Sequence, residues 1–170
     1  MAELIYRAFV SSTYEDLKDE RAEVTQALLK LQCLPIGMEA FPATDMEVWE
    51  FIKEQIEASD FYVMVIAGRY GSLGPDGRSL TEMEYDYARE IGKPVLTFIH
   101  AAPGEIAHKL SETDPEKTPK LAAFIAKAKA KPLVSFFRSP QELAGHVLAS
   151  VVDLRPRLLK THPEAGYVRY

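Results

Sequence analysis

The chain has 170 residues, 47% hydrophobic and 26% charged, with a formal net charge of -5, which fits one globular domain whose core needs no disulfide or metal staple. Acidic balance without a dense lysine and arginine cluster argues against nucleic acid as a partner, and a single cysteine, Cys33, excludes a disulfide framework. No apolar run approaches the roughly 20 residues needed to span a bilayer, and "MAELIYRAFV" has no signal-like features, so the chain reads as soluble and cytoplasmic.

Short apolar runs alternate with longer amphipathic ones, the βαβα rhythm of a parallel sheet covered by helices. "IYRAFV" is the first strand. In "SSTYED", Ser12 with Glu15 and Thr13 with Asp16 offer overlapping capping patterns for a helix to about Leu31. "LPIGME" is a second strand, with Pro35 suited to an edge position. Thr44 with Glu47 opens a helix through about Ala58, and the almost wholly apolar "FYVMVIA" reads as a central strand buried on both faces. "GRYGSLGPDGRS" follows as a loop, then a helix begins at "SLTE". "PVLTFI" is the fourth strand, and the proline-punctuated segment from Ala101 to Pro119 is a surface excursion with a helical turn or two. "KLAAFIAKAKA", "PLVSFF" and a closing helix capped around Ser139, Pro140 and Glu142 complete the series. Residues 1–155 form the α/β domain in this reading, and residues 156–170 a linker or tail leading to further domains.

Five strands with right-handed crossovers predict a flavodoxin-like three-layer sandwich of order 2-1-3-4-5. Ligands of such sheets bind beyond the carboxyl ends of the strands where the order reverses, here between the first and third strands. The loops that meet there begin "VSSTYED" and "AGRYGS". In the first, Ser11, Ser12 and Thr13 lie where a helix N-terminus can receive an anion, although capping explains at least one of them. In the second, Gly68 and Gly71 permit close backbone approach or serve ordinary turns. Arg69 is a phosphate partner or a surface charge, and Tyr70 a stacking platform for a base or a loop anchor. Neither GxGxxG nor GxxxxGK[ST] is present.

Two carboxylates on the following helix separate by geometry. Ser79 and Glu82 make a capping box, which accounts for Glu82. At about 100° per residue, Glu84 shares a face with Leu80, Tyr87, Ala88 and Ile91, while Glu82, Asp86 and Arg89 lie opposite. A carboxylate in an apolar stripe must be paired, hydrogen-bonded or protonated. Glu84 either anchors a donor such as Ser11 or Arg69, or faces the ligand crevice as a functional group. Burial raises its pKa and the helix N-terminus lowers it.

The four histidines, His100, His108, His146 and His162, lack ligand spacing, so neither a metal nor a cofactor is expected. Trp49 has core-like spacing, and Cys33 has no adjacent base. A phospho-acceptor domain of receiver type fits the strand order but lacks the required acidic cluster after the first strand.

The ordered motifs "FVSSTYEDLKDERAEV", "GMEAFPA", "AGRYGS" and "SLTEMEYDYAREIGKPVL" resemble the bacterial family catalogued as domain of unknown function 4062, over most of residues 5 to 100. More distantly, the arrangement is similar to TIR domains, some of which hydrolyse NAD with a glutamate on the helix after the third strand. It also resembles nucleoside 2-deoxyribosyltransferases, whose nucleophilic glutamate matches the first residue of "EYDYA". Both resemblances imply a catalytic role for Glu84, with Ser11, Ser12, Thr13, Gly68, Arg69, Tyr70, Gly71 and Ser79 around a nucleotide resembling NAD. The resemblance to domain of unknown function 4062 implies a signalling or defence protein, in which such a domain precedes an NTPase or repeat region. The alternative is a non-catalytic module for self-association or coupling to a fused domain.

Overall fold

β-branched and aromatic runs bounded by turn residues become strands, and the amphipathic stretches between them become the crossovers. The computed structural model describes residues 3–37, 47–131, 133–161 and 167–169. The order along the chain is β1 (Glu3–Ser11), α1 (Lys18–Lys30), β2 (Cys33–Ile36), α2 (Val48–Glu57), β3 (Phe61–Ile66), α3 (Leu80–Glu90), β4 (Val95–His100), α4 (Lys117–Lys129), β5 (Val134–Phe137), α5 (Pro140–Thr161) and β6 (Tyr167–Arg169). Two 3₁₀ turns, Pro103–Glu105 and His108–Leu110, punctuate the excursion before α4. The expected capping residue Thr44 and most of "GMEAFPA" lie outside the described residues.

The parallel sheet has the order β2-β1-β3-β4-β5, as the crossover rhythm predicts. All six residues of β3 are buried, as its unbroken apolar run requires of a central strand. Paired residues share a face, so Phe9 and Tyr62 stand beside Val95, and Ser11 and Met64 beside Thr97, on one side of the sheet. That side packs against Ile52 and Ile56 of α2, Tyr85 and Ala88 of α3, and Phe124 and Ala128 of α4. The other side, with Tyr6, Val10 and Val63, is covered by Val24 and Leu28 of α1 and by Leu143, Val147 and Leu154 of α5.

Two local expectations change. No side chain caps α1, which starts at Lys18 rather than beside Ser12 or Thr13, because the Ser12 and Thr13 hydroxyls donate to Thr13 O and Asp16 within their own loop and Asp16 accepts from the loop after β3. α5 continues past residue 155 to Thr161 with Pro156 inside it. Leu154 and Leu158 are 5% and 1% exposed, and their burial compensates for the backbone hydrogen bond that proline cannot make. Between them Arg155 donates to Leu31 O at 2.5 Å and Leu4 O at 3.2 Å and lies over the Tyr6 ring. Beyond α5, β6 pairs antiparallel with the start of β1, Tyr167 opposite Ile5. No helix among the described residues is long and apolar enough to cross a membrane.

Charged hydrogen bonds of the Arg155 kind are each worth about 1.5–3 kcal/mol. Arg155→Ala is therefore expected to lower the unfolding free energy by about 2–3 kcal/mol in urea titrations. An unchanged midpoint would show that the helix beyond this point is not part of the cooperative unit.

Candidate functional site

The loops after β1 and β3 meet at the carboxyl end of the sheet, and a buried acid fastens them. Asp16 accepts hydrogen bonds from the backbone N–H groups of Gly68 and Arg69, each at 3.1 Å, and from the Thr13 hydroxyl. Burial raises its pKa above the ordinary aspartate value, while these three hydrogen bonds pull the other way. The excursion after β4 then closes over the second loop. Glu112 N–H donates to Gly68 O at 2.6 Å, Tyr70 N–H donates to Glu112 Oε1 at 2.9 Å, and Arg69 Nη2 donates to Lys109 O at 2.6 Å. Gly68 is required here because a Cβ on it would lie 2.3 Å from Leu110 O.

Between these loops and the start of α3 lies a cavity of about 540 Å³. Ser12, Thr13, Arg21, Arg69, Thr81 and Glu84 line it, with Glu112 and Lys117 contributed by the excursion. Glu84 is 4% exposed and accepts a hydrogen bond from Ser11 Oγ at 2.5 Å. Burial pushes its carboxyl from the ordinary 4.5 up to about 7, against the lowering effects of the Ser11 hydrogen bond and the Arg21 charge. Arg21 comes from α1 and donates to Ser12 Oγ at 2.7 Å. The wall thus combines a carboxyl poised between two charge states with hydroxyls and cations, which suits stabilisation of a developing positive charge or proton exchange.

The predicted residues divide. Ser12, Thr13, Arg69, Gly71 and Glu84 line the cavity, and Ser11 sits behind Glu84 as its donor. Gly68 lies beneath Leu110, acting through backbone packing. Tyr70 is corrected from a base platform to a core residue. It is 2% exposed, donates to Glu82 Oε1 at 2.7 Å and meets Phe124 edge to face. Ser79 is likewise the α3 cap rather than a ligand group, fully buried and accepting from Glu82 N–H at 3.1 Å. Glu82 itself turns away to Lys127 at 2.5 Å. Around Glu84 the buried face of α3 is Thr81, Met83, Tyr85 and Ala88, whereas Ile91 is exposed.

Arg21, Thr81, Glu112 and Lys117 are additions that the sequence reading did not identify. Arg21 carried a usable signal, since it shares the buried stripe of α1 with Val24 and Leu28, a misplaced charge of the same kind as Glu84. Thr81 comes with Glu84 on the first turns of α3, whereas Glu112 and Lys117 depend on how the excursion folds back. No group of metal-ligating side chains is present among the described residues.

Residues 7–152 match a family model described as "Domain of unknown function (DUF4062)". No curated protein gives a significant match. Among solved structures, the TIR domains of the activated Roq1 resistosome directly recognising the pathogen effector XopQ are 14% identical, with 85% of this chain and 82% of that one covered and a TM-score of 0.49. A short-chain flavodoxin associated with a non-canonical PDU bacterial microcompartment is 13% identical, with 89% and 99% covered and a TM-score of 0.38.

The raised Glu84 carboxyl makes a signed prediction. Its folded pKa of about 7 exceeds the ordinary 4.5, so the stability it contributes is complete below about 4.5 and is lost as pH rises through about 7. Between pH 4.5 and 8 the loss from this group is on the order of 3 kcal/mol. Glu84→Gln, neutral throughout, should show a flatter pH dependence in urea unfolding and exceed the parent in stability at pH 8. Parallel profiles for the two proteins would contradict the burial of an ionisable Glu84.

Proposed function

We propose that this chain, which belongs to the family described as domain of unknown function DUF4062, is a TIR-like nucleotide-recognising module of a signalling or defence protein that cleaves the N-glycosidic bond of NAD or a related nucleotide. The observation that carries the proposal is Glu84: a carboxyl 4% exposed in the wall of a cavity of about 540 Å³, with Ser11 donating to it. A merely structural carboxylate in an apolar stripe has no reason to border open space at the switch point of the sheet.

The ribose C1′–N bond breaks and its electron pair leaves with the nitrogen of the base. The Glu84 carboxylate stabilises the resulting oxocarbenium-like centre or adds to C1′ as an ester. Water then attacks C1′, the ester C1′–O bond, where one has formed, breaking with its electron pair returned to the Glu84 carboxylate, and the water's proton passes to that carboxylate and on to solvent. Arg69, only one of whose terminal nitrogens is committed to Lys109 O, receives phosphate, and Gly71 lets the backbone approach it. This chemistry needs Glu84 ionised, so the rate rises with pH through about 7.

The test incubates the assembled full-length protein with NAD and with nucleosides and follows base release by chromatography. Glu84→Gln should lower turnover at least about 100-fold, the scale expected on removing a preorganised stabilising group. Absence of turnover in the assembled protein, or equal turnover in the variant, overturns the mechanism.

A second reading, a self-association or coupling module, has support from Val152 and Leu159. They are 57% and 53% exposed and lie seven residues apart on α5. It predicts concentration-dependent assembly in sedimentation experiments and no rise in melting temperature with NAD.

A further inference from the structure

Behind Glu84 lies a polar group that the proposed chemistry does not use. Tyr62, at the middle of the sheet, is 0% exposed and its ring stacks on Phe9 at 5.7 Å. It shares a sheet face with Ser11, one step down the ladder, because Tyr62 pairs with Phe9 and Met64 pairs with Ser11. Such diagonal neighbours lie about 7–8 Å apart at Cα, within reach of a tyrosine hydroxyl. The hydroxyl lies beside Ser11 and within the field of Glu84, yet completes no hydrogen bond of normal geometry. Leaving a buried hydroxyl unmatched is costly, and evolution of an apolar core would place phenylalanine there.

Ser11 has one proton, and it is committed to Glu84. Its oxygen can still accept, so the Tyr62 hydroxyl has a single useful role beside it, that of donor. We infer that Tyr62 is a positioning residue whose hydroxyl donates to Ser11 Oγ whenever Ser11 donates to an ionised Glu84, so that the three side chains act as one buried relay. Donation into Ser11 polarises its O–H and strengthens the bond to the carboxylate. When Glu84 is protonated that demand falls, and the Tyr62 hydroxyl is released from Ser11.

Other charges facing this centre act through space. Arg21 acts from α1, and Tyr85 and Asp86 act on the Tyr62 hydroxyl from α3. Across the cavity stand Glu15 after β1, Arg69 after β3, and Glu112 and Lys117 of the excursion. None of these requires Ser11 as an intermediary, and that difference separates a relay from general electrostatics.

The relay rests on the same carboxyl as the proposed function, but its test reads that carboxyl directly and needs no turnover. In protein carrying ¹³C-labelled glutamate carboxyls, the Glu84 resonance is identified by its loss in Glu84→Gln and followed through a pH titration. Tyr62→Phe, which keeps the ring and its stack on Phe9, should raise the Glu84 midpoint by about half a pH unit. In a Ser11→Ala background the same substitution should add no further shift. An unmoved midpoint in Tyr62→Phe overturns the relay, as does an equal shift with and without Ser11. Absence of NAD cleavage in a protein that shows the Ser11-dependent shift would discard the proposed reaction and leave the relay standing.

Discussion

The crevice depends on the carboxylate of Asp16. Two loops far apart in sequence end on neighbouring strands, and nothing in strand pairing alone fixes how they lie against one another. Asp16 does so by accepting from the backbone of Gly68 and Arg69 on one side and from Thr13 on the other. Charge-assisted hydrogen bonds of this type are roughly twice as strong as neutral ones, which is how three of them can hold a buried acid. The excursion before α4 then rests on the same fixed backbone, through Glu112 on Gly68 and Tyr70. Release of Asp16 would loosen the floor and the roof of the cavity together.

Glu84 represents the opposite solution to burying a carboxyl. It has one close donor, Ser11, and the Arg21 charge, and desolvation still outweighs both, bringing the group to about 7. A second strong donor would have stabilised the anion and made the residue an inert strut. An apolar residue would have packed at lower cost, since buried ions rarely repay their desolvation against well-packed hydrophobic side chains. Helix α3 therefore carries a group that contributes little to stability at neutral pH and is held poised between charge states.

Much of this was legible from the chain. Alternating apolar and amphipathic runs, with one run of unbroken hydrophobicity, are sufficient for the strand order, because crossover handedness leaves few alternatives. The helical position of Glu84 marked it as buried, although of its expected companions Leu80, Tyr87, Ala88 and Ile91 only Ala88 belongs to the buried face, which is turned toward Met83 and Tyr85. Reading α1 in the same way would have found Arg21. What local pattern could not show was choice of partner. Ser12, Thr13 and Asp16 have the composition of a helix start, but the two hydroxyls bond within their own loop and Asp16 is spent across loops on Gly68 and Arg69, a long-range preference with no sequence period. Tyr70 sits in a glycine-rich loop whose local pattern left a stacking platform and a loop anchor equally open, and Phe124 from α4 supplies the core contact that decides for the anchor. Lys117 and Glu112 reach the cavity only because a proline-punctuated excursion folds back onto Gly68. The tail expected from residue 156 starts in helix instead, because burial of Leu154 and Leu158 on either side of Pro156 carries α5 to Thr161.

The balance around Glu84 also bears on which ligand the cavity would favour. Near neutral pH the carboxyl is divided between its two forms, so a ligand's own charge decides which one prevails. A phosphate placed close to Glu84 would drive it to the protonated form and remove the carboxylate that glycosidic cleavage requires. A phosphate at Arg69 would be neutralised where it sits, and a cationic ring beside Glu84 would draw the proton off. A nucleotide carrying a positive base at one end and phosphates at the other would therefore ionise Glu84 by the act of binding. A simple nucleoside or a nucleoside phosphate with a neutral base would leave the carboxyl largely as it is in the empty cavity. Discrimination among nucleotides in such a site would come from the charge state that each imposes on one buried acid, in addition to the fit of its base.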